Sequence, residues 1–432
     1  MAVIVESIII GLITGFVVVA FRYALSRVDV FRAWLYGTLP RLPFYWTLLW
    51  TTGLGALGLF LGWAAKVRPM IRGSGIPQIK GALARQLTLD WVPELPLKII
   101  TGILGLGAGL SLGREGPSIQ IGAYVGKGVL TVLRRPHRER QILIVSASAA
   151  GLAAAFNAPL SGVLFALEEL SASFSPLYLA CAMGASMMAD LTAGYFFGLG
   201  PIFDFRHVAV LPLGNFPWIL LLGILCGLLG DLFKRTLYGA QNWYERLRLP
   251  QIVRPVIPLL LSVPLGFFLF DVSGGGHGLI ESLSRGERTL ELLILILGGK
   301  ILFTALCYGS GTAGGIFLPL LACGALAGDI LGELLTMAGF AAAGQNLNFM
   351  ILGMAAFFTA VVKAPVTGII LILEMSGNFN HLGSLVLVCL SAFVTTELIA
   401  SRPVYTVLLE RMLKRAGSSG GTAPRHGRSG LG

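Results

Sequence analysis

Long apolar stretches, separated by short polar or glycine-rich segments, run along most of this chain. A helix needs about 20 apolar residues to cross a bilayer. We take six stretches as long enough: residues 3–20, 44–64, 177–197, 218–232, 256–270 and 382–400. Others are shorter or are cut by Gly and Pro. The pattern predicts an all-α polytopic membrane protein.

The composition agrees with this prediction. Hydrophobic residues make up 55% of the chain and charged residues 12%, with a mean hydropathy of +0.80, whereas soluble domains carry about 25% charged residues. Many of the 57 Gly and 21 Pro lie inside apolar stretches. Irregular backbone survives at membrane depth only where protein buries it or it lines a cavity. A transporter or channel is therefore favoured over a simple anchor.

The formal net charge of +11 does not indicate nucleic-acid binding, because the basic residues lie in loops and near the end of the chain. They cluster around residues 134–140, 234–254 and 411–415, which the positive-inside rule assigns to the cytoplasm. Residues 198–215 carry one Arg and one Asp and are expected on the opposite face. We expect a multi-pass protein of the cell (inner) membrane.

Neither the cysteines nor the glycine-rich residues 105–113 suggest a cofactor. The five cysteines lie in apolar stretches, and their spacing does not match that of metal ligands. We therefore expect free thiols at Cys181, Cys226, Cys307, Cys323 and Cys389. The glycine-rich residues 105–113 lack the strand and acidic partner of a dinucleotide site, so we expect no metal and no cofactor. At the start of the chain, the sequence predicts a membrane helix rather than a signal peptide. At its end, the Gly- and Ser-rich residues 416–432 predict a disordered tail.

Residues 113–117 (Gly-Arg-Glu-Gly-Pro) place an acid and an arginine between two apolar stretches. A carboxylate at bilayer depth costs about 2.5–3.5 kcal/mol on insertion scales, so Glu115 is a functional candidate. The glycines and Pro117 indicate that a half-helix starts near Glu115. Its unpaired N–H groups and positive dipole end would form an anion site inside the membrane.

The chain contains an internal repeat, which we divide into residues 1–208 and 209–415. Three pairs of segments match in the same order: residues 11–22 with 223–234, 98–126 with 300–328, and 156–168 with 362–374. Such repeats place the substrate near the midplane, where discontinuous helices meet. Glu115 corresponds to Phe317, so these positions should approach each other. The repeat leaves open whether the halves are parallel or inverted.

Four segments have the features of a broken helix: residues 73–77, 113–117, 314–319 and 401–405. Ser74 and Tyr405 offer hydroxyl donors, and the third segment offers only backbone amides. A dehydrated anion needs such donors without a full cation to trap it. Each segment alone is more simply explained as a packing turn, but four together, symmetric in pairs, indicate an anion site.

Glu168 and Glu169 end the helix that begins near Pro159, where acids oppose the helix dipole. We expect one of them to face cytoplasmic water, and the other is a candidate proton relay. Glu374 is the repeat counterpart and is expected to be structural. Two lysines lie in membrane segments, Lys98 and Lys300. The sequence leaves open whether they are structural counter-ions or residues of the ion pathway.

Gly73-Ser-Gly-Ile-Pro, Gly113-Arg-Glu-Gly-Pro and Gly315-Ile-Phe-Leu-Pro, with Tyr405 downstream, resemble the CLC chloride channel and transporter family. The resemblance covers about residues 1–415. It implies a homodimer in the lipid bilayer, with one pore in each subunit. Each pore would be built from two inverted halves whose discontinuous half-helices meet at a central anion site.

The resemblance also implies roles for single residues. Ser74 and Tyr405 would coordinate the central chloride, together with the backbone amides of Ile316 and Phe317. Glu115 would be the external gate and proton acceptor, its carboxylate competing with chloride until a proton neutralises it.

By alignment on residues 156–159, the internal proton relay of proton-coupled members corresponds to Glu169. Its presence favours chloride/proton antiport, and the alternative is a passive voltage- or pH-gated chloride channel of the same fold. Ser74 favours chloride over nitrate. Two residues depart from the family's pattern: Gln78 stands where Glu is more usual, and Lys80 stands where some bacterial members have an acid. No regulatory domains follow Arg415, so we expect a prokaryotic source.

An intramembrane hydrolase is a rival of another class, with Ser111 or Ser161 as nucleophile. None of the five histidines is well placed beside either serine. We therefore expect a transport protein and not an enzyme.

Overall fold

The computed structural model describes residues 1–133, 137–171, 175–286, 288–340 and 344–418. Within these residues the chain forms seventeen α-helices and no β-strand. The first eight are α1 (Ala2–Thr38), α2 (Phe44–Val67), α3 (Ile76–Leu83), α4 (Trp91–Gly107), α5 (Glu115–Leu133), α6 (His137–Phe156), α7 (Pro159–Phe165) and α8 (Pro176–Phe197). The others are α9 (Phe216–Arg246), α10 (Val256–Phe268), α11 (His277–Leu283), α12 (Leu290–Gly309), α13 (Phe317–Met337), α14 (Asn346–Val362), α15 (Pro365–Ser376), α16 (Leu382–Leu398) and α17 (Val404–Ser418).

Six described helical segments are long and apolar enough to cross a membrane: Ala2–Arg41, Phe44–Val67, Leu213–Arg246, Leu290–Gly309, Phe317–Met337 and Phe379–Leu398. Three of them contain predicted spans, a fourth covers the predicted 382–400 as far as Leu398, and α8 covers the predicted 177–197. The prediction of a span over 256–270 is wrong. The helix there has 13 residues, about 20 Å, because the backbone leaves the helical conformation at Leu269 (φ −142°, ψ 57°).

The two halves pack alike. In the first half, α5 packs along α6 and α1 packs along α8. In the second half, α13 packs along α14 and α9 packs along α16 in the same way. The predicted boundary at 208/209 falls between α8 and α9. Helix α17 follows the second set and continues to Ser418, while residues 134–136 of the first basic segment and 419–432 of the predicted tail lie outside the described residues. All five cysteines are buried and free.

Glycines that the repeat aligned bring paired helices into backbone contact. A Cβ on Gly122 of α5 would lie 2.1 Å from the Ala147 carbonyl oxygen of α6. At the equivalent position of α13, a Cβ on Gly324 would lie 2.3 Å from the Gly353 carbonyl oxygen of α14. Small residues allow such close approach inside membranes. The matched glycines therefore fix where the broken helices α5 and α13 sit.

The halves are inverted, as two reciprocal carboxylate caps demonstrate. Glu374, near the end of α15, accepts hydrogen bonds from the Leu160 and Ser161 amides of α7 at 3.0 and 2.8 Å, and from the Ser161 hydroxyl. Glu168, just beyond the end of α7, accepts from the Thr367 amide and hydroxyl of α15 at 2.8 and 2.7 Å. Each carboxylate satisfies unpaired amides at the positive end of the other helix. The two helices are therefore antiparallel.

Glu168 is half-buried and Glu169 is buried, and the expectation that one of them faces cytoplasmic water stays a prediction. Glu168 caps α15, and the Glu169 side chain is only 7% exposed and pairs with Lys80. Acids at the end of α7 oppose its own dipole, but for Glu168 the amides of the facing helix compensate. Glu374 has the structural role expected of it.

We predict that Glu374→Gln lowers the free energy of unfolding by about 1–2 kcal/mol. The glutamine side chain would direct its N–H groups toward the N–H groups of Leu160 and Ser161, so that at least one hydrogen bond of the cap is lost. The measurement is the midpoint of thermal unfolding in detergent. Glu410→Gln is the matched control, because Glu410 pairs with Arg402 at the surface. Equal midpoints for Glu374→Gln and the unmodified protein would contradict the capping role.

Candidate anion site between helix starts

Each of the four segments singled out in the sequence leads directly into a helix. They precede or contain the starts of α3 at Ile76, α5 at Glu115, α13 at Phe317 and α17 at Val404. The backbone must turn sharply before each start. At Gly75, which immediately precedes α3, φ is +85°, and a Cβ would lie 2.2 Å from the Gln120 side-chain oxygen. Only glycine fits there.

Short backbone pairings hold these segments together. The Gly113 amide donates to the Gly315 carbonyl at 2.6 Å, and the Gly315 amide returns a bond to Gly113 at 2.8 Å. The Gly73 amide donates to the Thr312 carbonyl at 2.9 Å. Glu115 and Phe317 each lie two residues beyond the Gly113–Gly315 pair, so the prediction that these positions approach each other is confirmed.

Ser74 is fully buried under the first turn of α5. A Cβ on Gly116 would lie 2.7 Å from the Ser74 Cβ. The Ser74 Oγ accepts a weak hydrogen bond from the Ile76 amide at 3.4 Å, which leaves the hydroxyl proton available for another acceptor.

Glu115 is fully buried, and neither carboxylate oxygen has a hydrogen-bond partner of good geometry among the described residues. The Arg114 Nε lies 3.9 Å from its Oε1. A Cβ on Gly113 would lie 2.3 Å from the Glu115 Oε2 and 3.1 Å from the Leu318 amide nitrogen. The carboxylate thus sits against the start of α13, where helix amides favour a negative charge.

Tyr405 is fully buried, and its hydroxyl has no hydrogen-bond partner among the described residues. Leaving a hydroxyl unpaired in the interior is costly. The acids close enough to interact electrostatically with Tyr405 are Glu169 and Glu115. The phenol is therefore a buried donor without a described acceptor, within electrostatic range of both glutamates that the sequence singled out.

Ile316 and Phe317 are fully buried at the start of α13. The Phe317 ring packs against Phe156, Phe165 and Phe358, with ring centroids 5.2, 5.9 and 4.7 Å away. This aromatic cluster fixes the direction in which the first amides of α13 point.

Glu169 lies in a π-helical segment, Ala166–Ser171, that continues from α7. Its Oε1 accepts a hydrogen bond from the Lys80 Nζ at 2.7 Å. The same ammonium donates to the Thr406 Oγ1 at 3.3 Å. Gln78, the other departure from the family, donates to the Arg72 carbonyl at 2.6 Å.

Lys98 and Lys300 have equivalent structural roles. The Lys98 Nζ donates to the Ile71 and Gly73 carbonyls at 2.8 and 2.7 Å. The Lys300 Nζ donates to the Gly274 carbonyl at 2.8 Å. Each ammonium therefore satisfies carbonyls of the irregular segment in its own half, which favours the structural alternative for both.

Two cavities adjoin the buried site. One, of about 660 Å³, is lined by Gly113, Arg114 and Leu318. The other, of about 580 Å³, is lined by Gly73, Gln78 and Tyr308 and by four arginines: Arg72, Arg254, Arg411 and Arg415. The basic lining raises the local concentration of anions in that cavity.

Sequence reasoning missed Tyr308. This side chain is buried, and its hydroxyl interacts with Ser74. A tyrosine near the end of a mainly apolar helix, just before Gly309, was the available signal. The two serines considered as nucleophiles have other partners: the Ser111 hydroxyl bonds with Thr304 at 2.7 Å, and the Ser161 hydroxyl bonds with Glu374.

A protein-family model described as "Voltage gated chloride channel" matches residues 57–397 of this chain. The chain belongs to the CLC family. This CLC chain is 34% identical to the H(+)/Cl(-) exchange transporter ClcA of Citrobacter koseri, over 96% of the chain and 89% of that protein.

Two solved structures are similar to this CLC chain. A slow cyanobacterial Cl−/H+ antiporter shares 32% identity, with a TM-score of 0.91 over 96% of this chain and 99% of the other. A eukaryotic CLC transporter superposes with a TM-score of 0.80 over 95% of this chain and 74% of the other. At 22% identity, this similarity shows a shared fold and nothing more.

Proposed function

We propose that this CLC chain exchanges chloride for protons across the membrane. The observation that carries the proposal is the fully buried Glu115 carboxylate, which lies against the start of α13 without a hydrogen bond of good geometry among the described residues. A carboxylate competes with chloride for an anion position, and a proton that removes its charge weakens its hold there. Proton uptake and chloride entry are therefore linked at one position. The exchange activity named for the ClcA relative and the cyanobacterial antiporter supports this reading.

The central chloride ligands in this proposal are the hydroxyls of Ser74 and Tyr405 and the backbone amides of Ile316 and Phe317. All four residues are fully buried. Hydroxyl and amide dipoles replace the hydration shell of an anion without binding it as tightly as a fixed cation would. The buried Tyr405 hydroxyl has no acceptor among the described residues, which supports this assignment.

In the proposed cycle, Glu115 is the external gate and proton acceptor and Glu169 is the internal proton relay. The charged Glu115 occupies the anion position, a proton neutralises it, and the side chain moves out so that chloride enters. Glu169 supplies the proton from the cytoplasmic side. Tyr405 lies within electrostatic range of both acids, which supports a shared pathway between them.

The assembly belongs to the same proposal. The chain is a membrane protein, and we assign it to the cell (inner) membrane as a homodimer in which each subunit carries its own pore. This assignment follows from the family. Light scattering of the purified protein in detergent measures the mass of the assembly, and a monomeric mass would contradict the dimer.

We predict that the purified protein in liposomes moves protons uphill when a chloride gradient is imposed and valinomycin with potassium holds the voltage near zero. Glu115→Gln, which removes the titratable gate, should retain chloride flux and lose proton movement. Glu169→Gln should also lose proton pumping. Proton movement is followed with a pH electrode and chloride with a chloride electrode.

Glu397→Gln is the matched control, because Glu397 is an exposed acid paired with Lys363. It should pump protons like the unmodified protein. Chloride flux without proton movement in the unmodified protein would assign a passive channel instead. Proton pumping by Glu115→Gln would overturn the proposed gate.

We predict that Tyr405→Phe weakens chloride binding about tenfold, because one hydrogen bond to a charged ligand contributes about 1.5 kcal/mol. Isothermal titration calorimetry of the detergent-solubilised protein measures the dissociation constant. Tyr195→Phe is the control, since Tyr195 is 85% exposed. An unchanged chloride affinity in Tyr405→Phe would remove this hydroxyl from the anion site.

A further inference from the structure

Lys80 is the nearest cation to the Glu169 carboxylate among the described residues. Its Nζ lies 2.7 Å from the Glu169 Oε1, and the two side chains are 20% and 7% exposed. Such an ion pair is screened much less than a pair at the surface. Protonation of Glu169 would remove the negative charge that the ammonium faces, and the other described hydrogen-bond partner of the ammonium is the neutral Thr406 hydroxyl.

The other charged or titratable groups around Glu169 do not replace Lys80. Glu168, on the same segment, is occupied as the cap of α15. Tyr405, from α17, is within electrostatic range but forms no hydrogen bond with the carboxylate. Helices α6 and α8 also pack against the segment, and among the described residues neither contributes an electrostatic interaction with Glu169.

The ion pair also joins the elements that carry the proposed chloride ligands. Lys80 lies on α3, which follows Ser74, and Thr406 directly follows Tyr405 on α17. A single ammonium therefore bridges α3, α17 and the segment that carries Glu169. Any change in the charge of Glu169 alters the contact between these three elements.

We propose that Lys80 is a positioning residue that holds Glu169 in its charged form and so sets the pH at which this glutamate takes up a proton. The inference rests on the proposed function, since it requires Glu169 to carry protons. Loss of the ammonium removes the electrostatic preference for the carboxylate. Glu169 then binds a proton at higher pH, and exchange persists into more alkaline solution.

The test measures chloride/proton exchange in liposomes at a series of pH values, equal on both sides so that mixed protein orientations do not matter. Lys80→Met should shift the pH of half-maximal exchange upward by about one unit or more. Lys80→Gln should give the same direction and serves if the methionine variant does not fold. Lys80→Arg, which keeps the charge, should stay close to the unmodified protein.

The matched control is Lys363→Met, because Lys363 forms an ion pair of the same 2.7 Å length with the exposed Glu397. It should leave the pH profile unchanged. Lys80→Met in a Glu169→Gln background should leave the pH dependence of the remaining chloride flux unchanged, since the group that Lys80 acts on is gone.

The outcomes separate the two proposals. If Glu169→Gln still pumps protons, the proposed function is wrong at this residue, and the inference falls with it. If Glu169→Gln uncouples the ions but Lys80→Met and Lys80→Gln keep the original pH midpoint, only the inference is overturned. A shift that persists in the Glu169→Gln background also overturns it, because Lys80 would then act on another group.

Discussion

Backbone amides that lose their helical partners inside a membrane must find an acceptor, and the structure depends on this constraint. Four helices begin in the protein interior rather than at a surface, at Ile76, Glu115, Phe317 and Val404. Where the segments meet, as at Gly113 and Gly315, some amides pair with each other. Those left over create a region of positive potential, which is the physical basis of the proposed anion site.

The inverted repeat makes this arrangement possible because each half stabilises the other. Glu168 and Glu374 cap helices of the opposite half, and matched glycines bring α5 onto α6 and α13 onto α14. Function depends on where the symmetry fails. One half places Glu115 at the centre, and the other places Phe317 at the equivalent position with an aromatic cluster behind it. In the proposed function, one half contributes a removable charge and the other a fixed set of amides.

The two glutamates of the proposed proton route differ in the same way. Glu115 is buried without a hydrogen-bond partner of good geometry among the described residues, whereas Glu169 has a lysine at 2.7 Å. A carboxylate without a close hydrogen bond leaves its position more easily once it is neutral, whereas one in a 2.7 Å ion pair is held in place. This difference is consistent with a moving gate at one end of the route and a fixed relay at the other.

The sequence by itself determined the features that depend on local chemistry: apolar stretches, breaks at Gly and Pro, and the internal repeat. These were sufficient to identify the four helix starts and the residues Ser74, Glu115 and Tyr405. Only the tertiary structure decided the polar partners, because they lie far apart in the chain. Lys80 and Glu169 are 89 residues apart, and Glu168 and Thr367 are 199 apart. Hydropathy and spacing carry no information about which distant side chain will neutralise a charge, so the capping role of Glu168 and the pairing of Glu169 became visible only when the two halves were folded together.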